Sequence, residues 1–260
     1  MPELPEVEFA TRLLDRAIRD KRIVALRALH PSMRRSLGDG GERVRGRRVL
    51  TVSRRGKHQL VALDDGTSVH VHFRMTGDWA IGTTSDAERR HARAELDLDD
   101  GTRVSLLDSR ALATLSVHPP GHSPLPELGP EALDPALDAT VLAAALAGRR
   151  LAIKPALLDQ RVVAGLGNIY AVEALWHARI SPRAAAASLR ADRLARLIAG
   201  MRRTLADATH DPGRYGRGEA AHRLHVYDRA GEPCERCGAV IRRIVQSGRS
   251  TYYCPRCQRR

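Results

Sequence analysis

The sequence is poor in aromatic residues and has no long apolar run. Aromatic side chains make up only 3% of the 260 residues, so a core must come from the aliphatic part of a 43% hydrophobic composition. No uninterrupted apolar stretch approaches the roughly 20 residues that span a bilayer, and the acidic start of the chain lacks the basic and apolar segments of a secretory signal. These absences predict a cytoplasmic protein with no membrane partner.

Acidic residues are in the minority, and lysine is nearly missing. The chain has 43 Lys plus Arg against 30 Asp plus Glu, a formal net charge of +13, and a pI near 10.6. Only three of these cations are lysines, namely Lys21, Lys57 and Lys154, so arginine supplies most of the basic surface. An excess of this kind favours a polyanionic partner, with nucleic acid as the first candidate. A membrane surface is the weaker alternative, because no basic amphipathic helix stands out.

Cysteine is also scarce, but its four residues are grouped. Cys234 and Cys237 form one CxxC pair, and Cys254 and Cys257 form a second pair after an interval of sixteen residues. Two such pairs can place four thiolates tetrahedrally around Zn²⁺, which leaves no open position for water. We therefore expect one structural zinc, with a β-hairpin between the pairs. Two disulfides or four free thiols are the alternative.

The spacing of apolar residues changes along the chain, which is long enough for two domains. After Pro5, apolar residues recur at helical spacing as far as Ile18. Residues 22–75 and 94–107 instead have the pattern of strands, with Asp-Gly turns that favour antiparallel hairpins. These strands predict a β-sandwich.

Helical spacing returns after residues 119–135, a Pro- and Gly-rich stretch with the composition of a linker. The pattern predicts four helices, near residues 137–146, 157–163, 170–178 and 189–208. The polar, Gly-rich segment 210–223 is predicted to be mobile.

The first residues place reactive groups close together. Removal of Met1, which a small second residue permits, would give Pro2 a free secondary amine able to attack a sugar C1′ and form an iminium. Glu3 and Glu6 supply carboxylates within one helical turn. Pro5 suits the first position of a helix, whose positive end would disfavour protonation of the amine. The alternative is an ordinary helix N-terminus, where Pro and Glu serve only the backbone and the helix dipole.

Two further motifs have groups that suit phosphate. Residues 165–170, with the sequence GLGNIY, open a helix whose N–H groups and Asn168 side chain could bind an anion. Residues 54–58, with the sequence RRGKH, place Lys57 at a turn between strands, where it could contact a DNA phosphate. The alternatives are a helix start without a ligand and a solvated charge.

Taken together, these segments resemble the formamidopyrimidine-DNA glycosylase/endonuclease VIII family of base-excision repair enzymes over nearly the whole chain. Order and spacing carry the resemblance, because apart from the N-terminus and the cysteines no single motif is diagnostic. The segments are PELPEVE at 2–8, RGK at 55–57, HFRMTG at 72–77, LGPE at 128–131, GLGNIY at 165–170 and GRSTYYCPRC at 248–257.

The resemblance implies an α+β fold, with an N-terminal helix plus antiparallel β-sandwich, then a helix–two-turns–helix domain and a C-terminal zinc-ribbon hairpin. The expected boundaries are a catalytic domain at 2–120, a linker at 121–135, a DNA-binding domain at 136–224 and a zinc finger at 225–260. The implied protein is a bifunctional DNA glycosylase/AP lyase. Its expected partner is damaged double-stranded DNA, and we expect a nucleoid-associated monomer.

The resemblance also implies roles for the N-terminal residues. Pro2 would be the nucleophile that attacks C1′ as the base departs. Glu3 would protonate the deoxyribose ring oxygen or relay protons during ring opening, and Glu6 would support it. The iminium then acidifies the C2′ hydrogen, so that β- and δ-elimination cut the strand without a metal.

Further residues match the family's DNA contacts. Lys57, Asn168 and Arg249 match a phosphate clamp around the extruded nucleotide, and Lys57 also belongs to the expected catalytic set. Lys154 matches a position near the lesion pocket. A base must leave the stack before such an enzyme can reach it, and a kinked backbone held by cations makes that possible.

Met75, Arg110 and Leu112 align with the family's wedge, which fills the gap left by the flipped nucleotide. The chain departs from the formamidopyrimidine branch here, because Ala111 and Leu112 stand where that branch usually has a second arginine and a phenylalanine. The alternative is that Met75 and Leu112 are ordinary core residues.

The preferred lesion stays open between the two branches. The segment 209–225 is short, as in endonuclease VIII, whereas Leu4 and the MTG segment at 75–77 resemble the purine branch. We expect oxidised purines of the formamidopyrimidine and 8-oxoguanine type, with oxidised pyrimidines or a specialised lesion as alternatives. Two other functions compete with this reading: a non-catalytic DNA-binding protein, and a tautomerase that uses N-terminal proline as a base.

Overall fold

The computed structural model describes residues 2–86, 89–210 and 224–259. The chain forms two units, the first containing Pro2 and residues 6–126, and the second containing residues 3–5 and the chain from 127 onward. The division therefore passes through the start of the first helix. No helix in the described part of the chain is long and apolar enough to cross a membrane.

The predicted N-terminal helix is present as α1, Leu4–Ile18. Its apolar positions repeat at i, i+3, i+4 and i+7, which puts them on one face. In the first unit, Val7, Ala10 and Leu14 of this face are buried in the core of the β-sandwich.

The first unit is built on two four-stranded antiparallel sheets, which confirms the predicted sandwich. Its strands are β1 Ile23–Ala28, β2 Val49–Arg55, β3 His58–Leu63, β4 Ser68–His72, β5 Asp78–Thr83, β6 Ala92–Leu98, β7 Thr102–Leu107 and β8 Thr114–His118. One sheet has the order β1-β6-β7-β5 and the other β2-β3-β4-β8. The two Asp-Gly turns join β3 to β4 and β6 to β7 as expected. The pattern did not predict β5 or β8.

The expectation of strands throughout residues 22–75 is wrong between β1 and β2. Two short helices lie there, α2 Pro31–Leu37 and α3 Gly40–Val44. Pro31 occupies the first helical position, and the His30 ring accepts a hydrogen bond from the Ser32 amide, 3.2 Å away. Met33 and Leu37, four residues apart, are the buried positions of α2, a helical spacing that the apolar count missed.

The second unit contains the predicted helices, with one correction. They are α4 Ala139–Leu146, α5 Ile153–Leu157, α6 Asn168–His177 and α7 Ala191–His210. The helix expected near 157–163 ends at Leu157 instead of beginning there. Asp159 explains the stop, because its carboxylate accepts a hydrogen bond from the Arg161 amide and favours a turn. Val162 and Val163 are buried in the core from a non-helical segment.

The predicted hairpin between the cysteine pairs is also present. Its strands are β9 Arg242–Gln246 and β10 Arg249–Tyr253, paired antiparallel. Trp176 of α6 packs with Val226, Ile241 and Tyr252 in a small separate core beside the cysteines. Of the segment 210–223 that was predicted to be mobile, residues 211–223 lie outside the described residues.

Candidate active site and zinc centre

The carboxylate of Glu3 lies at the N-terminus of α6. Its Oε1 accepts a hydrogen bond from the Ile169 amide at 2.9 Å, and its Oε2 accepts one from the Tyr170 amide at 3.3 Å. Gly167, which precedes the helix, has no side chain to cap it, so Glu3 satisfies two amides that would otherwise lack partners. These amides were expected to be available for a phosphate, but in the structure they bind the protein's own carboxylate.

Two glycines create the space for this contact. A Cβ added to Gly167 would lie only 2.5 Å from Glu3 Oε1, and one on Gly165 only 2.6 Å from Leu4 Cδ1. Gly165 also has a φ of +88°, which glycine adopts readily, and its carbonyl accepts a hydrogen bond from the Leu4 amide at 3.0 Å. Residues 165–167, with the sequence GLG, therefore form the surface against which Glu3 and Leu4 pack.

The other N-terminal candidates are buried. Pro2 directly precedes the anchored Glu3 and is buried. Glu6 lies in the first turn of α1 and is 3% exposed. Glu3 and Glu6 thus hold their carboxylates out of bulk water, where charge and hydrogen bonding act more strongly than at the surface.

Lys154 is the largest fully buried side chain among the described residues and lies on α5. Its Nζ has no hydrogen-bond partner in the described structure. The pKa of Lys154 is lowered to about 8, chiefly by burial and secondly by the charge of Arg249, while the charge of Glu3 acts in the opposite direction. An unpartnered buried ammonium costs free energy, so this position is suited to an anionic or polar group that the protein does not itself supply.

Asn168 and the zinc hairpin are tied together within the second unit. The Asn168 Nδ2 group donates to the carbonyl of Ser250, 3.0 Å away, while its Oδ1 is buried without a donor among the described residues. Arg249, the first residue of β10, is exposed. Its charge acts on Lys154, as does that of Glu3, so Glu3 and Arg249 both lie within electrostatic range of Lys154.

Lys57 lies in the tight turn between β2 and β3 in the first unit and is only 6% exposed. Gly56 supplies the positive φ, +59°, that the turn requires. Arg54 fixes the turn, because its guanidinium donates to the Gly56 carbonyl at 2.9 Å and to the Glu8 carboxylate at 2.8 Å. Burial alone would raise the pKa of Glu8, but the charges of Arg54 and Arg12 outweigh it and lower the pKa.

The three wedge candidates are exposed and lie on two loops of the first unit. Met75 is 38% exposed on the loop after β4, and Leu112 is 45% exposed on the loop before β8, beside the exposed Arg110. The alternative that Met75 and Leu112 are core residues is therefore wrong. Such exposed apolar tips suit insertion between bases.

Asp108 joins these two loops and was missed from the sequence. It is fully buried, and its carboxylate accepts hydrogen bonds from the Thr76 hydroxyl on one loop and from amides on the other. The available signal was its place two residues before Arg110, because Asp side chains commonly accept the amide of residue i+2. Gly167 was also missed as the residue that makes room for Glu3.

The four cysteines form a metal centre. Their sulfur atoms all lie within 4.8 Å of one another, and two of the separations are 4.0 and 3.5 Å. Zn–S bonds of about 2.3 Å in a tetrahedron separate sulfurs by roughly 3.8 Å, so the set fits zinc. The cysteines form no disulfide, which excludes that alternative. Cys234, Cys237, Cys254 and Cys257 are the ligands of one structural Zn²⁺, as predicted.

Comparison with known protein families covers most of the chain. The formamidopyrimidine-DNA glycosylase N-terminal domain matches residues 1–115, and the formamidopyrimidine-DNA glycosylase H2TH domain matches residues 128–215. The zinc finger found in FPG and IleRS matches residues 231–260. The three matches follow the order of the β-sandwich, the helices and the cysteine hairpin.

Individual proteins are similar over their whole length. Formamidopyrimidine-DNA glycosylase of Paracoccus denitrificans is 40% identical over 280 residues, covering 99% of this chain and all of that protein. The enzyme of the same name from Chloroflexus aurantiacus is 40% identical over 281 residues, covering 99% and 98%.

Solved structures agree in fold. MutM in complex with DNA containing carbocyclic 8-oxo-G superposes with a TM-score of 0.91 at 30% identity, covering both chains completely. The Lactococcus lactis FPG in complex with FAPY-dG DNA also gives a TM-score of 0.91 at 30% identity, covering 99% and 100%. These similarities confirm the predicted α+β fold, with its β-sandwich, helix–two-turns–helix domain and zinc hairpin. The chain belongs to the formamidopyrimidine-DNA glycosylase family.

Proposed function

We propose that the Pro2 nitrogen of the mature chain attacks C1′ of a damaged nucleotide and forms an iminium. The N–C1′ bond forms as the glycosidic bond breaks, and the base leaves with the bonding electron pair. The Pro2 nitrogen then loses its N–H proton as the C1′=N bond forms and the bond from C1′ to the ring oxygen breaks, and Glu3 relays that proton to the ring oxygen, with Glu6 in support. The iminium acidifies the C2′ hydrogen, so loss of that proton expels the 3′ phosphate, and a second elimination expels the 5′ phosphate.

Membership of the family makes the protein a base-excision-repair DNA glycosylase and AP lyase that binds damaged DNA. This is the enzyme class predicted from the sequence. The proposal concerns which residues perform the reaction and on which lesion.

One observation carries the proposal: the anchoring of Glu3. The residue after Pro2 is buried, and its carboxylate is held by the amides of Ile169 and Tyr170. The Leu4 amide is held by the Gly165 carbonyl. Because the chain is fixed immediately after Pro2, its nitrogen loses little freedom on reaching a near-attack position, which favours catalysis by orientation.

Binding of the strand would rest on cations and an amide side chain. We assign Lys57, Asn168 and Arg249 to phosphate oxygens around the target nucleotide, since fixed cations can position a backbone without reading sequence. Lys57 is held on a short turn by Arg54, and Asn168 is held by Ser250. Lys154 would meet the extruded nucleotide, because its buried Nζ lacks a protein partner among the described residues.

The substrate class we propose is oxidised purines. Related structures hold 8-oxo-G and FAPY-dG DNA, and the MTG segment at 75–77 resembles the purine branch. Leu112 stands where the branch usually has phenylalanine, so it offers bulk without aromatic stacking. Oxidised pyrimidines are the second candidate, favoured by the short segment 209–225, which resembles endonuclease VIII in length.

The proposal is tested with duplexes that each carry one defined lesion. Wild type, Pro2→Gly and Glu3→Gln would be compared with Pro31→Gly, a control that changes an exposed proline at the start of α2. We expect wild type and control to excise formamidopyrimidine and 8-oxoguanine and to leave β,δ-elimination ends, whereas both N-terminal variants lose base excision. Equal excision by wild type and Pro2→Gly would contradict the proposed nucleophile. If wild type excises oxidised pyrimidines faster than oxidised purines, oxidised pyrimidines would be the substrate class instead.

We further propose the domain boundaries expected from the sequence, with a linker at 121–135, and a nucleoid-associated monomer. Light scattering of the eluted protein should give a mass near 28.6 kDa, and limited proteolysis should cut within the linker as well as within the predicted mobile segment 210–223. A mass twice as large would contradict the monomer.

A further inference from the structure

The two loops that carry the wedge candidates are connected through one carboxylate. Met75 lies between Phe73 and Gly77, whose backbones hydrogen-bond at 3.1 Å to close the first loop. Arg110 and Leu112 lie on the second loop. The carboxylate of Asp108 lies between these loops, and the residue is 0% exposed.

Each carboxylate oxygen of Asp108 accepts two hydrogen bonds. Oδ1 accepts from the Thr76 hydroxyl and from the Arg110 amide, at 3.1 Å for the latter. Oδ2 accepts from the amides of Leu112 and Ala113 at 2.6 and 2.7 Å. One carboxylate therefore fixes three amides of the second loop and the residue next to Met75 on the first.

The backbone around Asp108 is fixed as well. Its amide donates to the His91 carbonyl at 3.0 Å, and its carbonyl accepts from Arg93 Nε at 2.6 Å. Ala111, between the two wedge residues of the second loop, has a φ of +53°, which is costly for a non-glycine residue. Hydrogen bonds on both sides of Ala111 hold the loop in this conformation.

We propose that Asp108 is a positioning residue that holds Met75 and Leu112 as one rigid wedge, and that this rigidity sets how readily the enzyme extrudes a paired base. The inference rests on the proposed function, because it assigns Met75 and Leu112 to insertion between bases. Contacts made by an inserted wedge offset the free-energy cost of unstacking the bases. A wedge loop that must first be ordered on binding would offset less of that cost, because ordering itself costs free energy.

The hydrogen bonds at residue 108 require an ionised carboxylate with two acceptor oxygens. Burial alone would raise the pKa of Asp108, but the hydrogen bonds from Thr76 and from the Ala113, Arg110 and Leu112 amides lower it, so the residue is held as a carboxylate. An asparagine has one acceptor oxygen and one NH₂ group. In either orientation its NH₂ would face at least one loop amide, so Asp108→Asn breaks the junction while keeping the shape.

The test uses variants that loosen the two wedge loops to different extents, together with a control for folding. Asp108→Asn disrupts both loops, whereas Thr76→Val removes only the hydrogen bond that links them. The matched control is Asp78→Asn, which changes a half-buried carboxylate next to Gly77. Among the described residues, this carboxylate accepts one hydrogen bond, from the amide of its neighbour Trp79. Thermal unfolding of each variant identifies any that fails to fold.

Two measurements then report on the wedge. The first is the single-turnover rate of 8-oxoguanine excision from a paired duplex, compared with the same lesion opposite an abasic analogue, where extrusion costs less. The second is the fluorescence of 2-aminopurine placed beside the lesion, which rises when the stack is opened. We expect Asp108→Asn and Thr76→Val to slow excision of the paired lesion by roughly tenfold or more, because the first leaves a buried amide unsatisfied and the second removes a hydrogen bond to a charged carboxylate. The unpaired lesion should slow by less than about threefold on the same scale.

The outcomes distinguish this inference from the proposed function. Equal slowing on paired and unpaired lesions, or no slowing with either variant, would overturn the positioning role while leaving the enzyme class intact. If wild type excises neither lesion, the proposed substrate fails, and the 2-aminopurine signal still decides whether Asp108 governs insertion. If Asp108→Asn does not fold, Thr76→Val decides, since it leaves every amide hydrogen bond of the second loop in place.

Discussion

The Glu3 carboxylate accepts a hydrogen bond from the Ile169 amide, a contact across 166 positions of the sequence. It joins the residue beside the proposed nucleophile to the start of α6. A carboxylate near the N-terminus of a helix is stabilised by the helix dipole as well as by the amides. Glu3 therefore has a positional role in addition to the proton transfer we propose for it.

We predict that Glu3→Gln loses base excision but keeps part of the strand-cleavage activity on abasic sites. The glutamine retains one acceptor oxygen, so its NH₂ group would face one of the two amides and leave it unsatisfied at a cost of about 1–3 kcal/mol. Single-turnover assays on a lesion duplex and on an abasic duplex, with thermal unfolding, check this. Unchanged excision by the variant would remove Glu3 from the reaction.

We predict that Gly167→Ala behaves like Glu3→Gln although it changes no reactive group. The backbone of Gly167 is extended, with a φ of −134°, so alanine costs nothing there in conformation. Its Cβ would instead press on the buried Glu3 side chain, 2.5 Å from Oε1. The control is Gly148→Ala, which strains a positive φ in open space, and should lose stability without a selective loss of excision.

The sequence predicted the fold well where spacing and turn chemistry agree. The helix from Leu4 to Ile18, the two Asp-Gly hairpins and the cysteine pairs depend on local patterns, and all are present. The helix at 31–37 was missed because its two buried residues are too few to show a period. Strands β5 and β8 were missed because their neighbours in the sheet, not their own sequences, determine that they are strands.

The site was predictable as a set of chemical groups but not as an arrangement. Pro2, Glu3 and the cysteines carry chemistry that their residue types reveal. The contact of Glu3 with Ile169, and that of Thr76 with Asp108, depend on tertiary structure over long sequence separations. Motif reasoning therefore offered the α6 amides to a phosphate or left them without a ligand, since nothing local showed that Glu3 would occupy them.

We predict that kcat/KM for lesion excision falls through an ionisation near pH 8 that Lys154→Met removes. The pKa of Lys154 is lowered to about 8, and kcat/KM reports ionisations of the free enzyme. Above that pH the amine is neutral and can no longer attract an anionic nucleotide. Lys21→Met is the control, because Lys21 pairs with Asp100 in the first unit. A wild-type profile that Lys154→Met leaves unchanged would exclude the role.

The lowered pKa of Lys154 also makes the free energy of unfolding depend on pH. The folded-state pKa of Lys154 lies below its unfolded value of about 10.4, so the charged form is disfavoured by folding. The penalty is fully present below pH 8 and disappears as the pH rises toward 10.4. Relative to Lys154→Met, wild type should therefore gain stability over that interval, as measured by denaturant unfolding at several pH values.

We predict that removing the zinc abolishes DNA binding while leaving the β-sandwich folded. The metal holds the hairpin that carries Arg249 and that bonds Asn168 through Ser250, and structural zinc contributes directly to folding free energy. The chain has two tryptophans. Trp176 packs beside the cysteines with Arg236 at 3.8 Å from its ring, so its fluorescence should change.

The second tryptophan provides the control for zinc removal. Trp79 lies on β5 of the first unit, where its Nε1 donates to Gln59. A Trp79→Phe background isolates the signal of Trp176, and Cys254→Ser should reproduce the effect of a chelator. Intact DNA affinity in protein shown to contain no metal would contradict the assignment of the zinc to the binding surface.

The most direct test of the central claim is to locate the covalent bond. Borohydride reduces an iminium between the protein and abasic-site DNA, and trypsin then releases the N-terminal peptide from Pro2 to Arg12. We predict that mass spectrometry finds the sugar remnant on the Pro2 nitrogen, and that protein with an uncleaved N-terminal extension forms no adduct. An adduct on Lys21, Lys57 or Lys154, or trapping by the extended protein, would contradict the account.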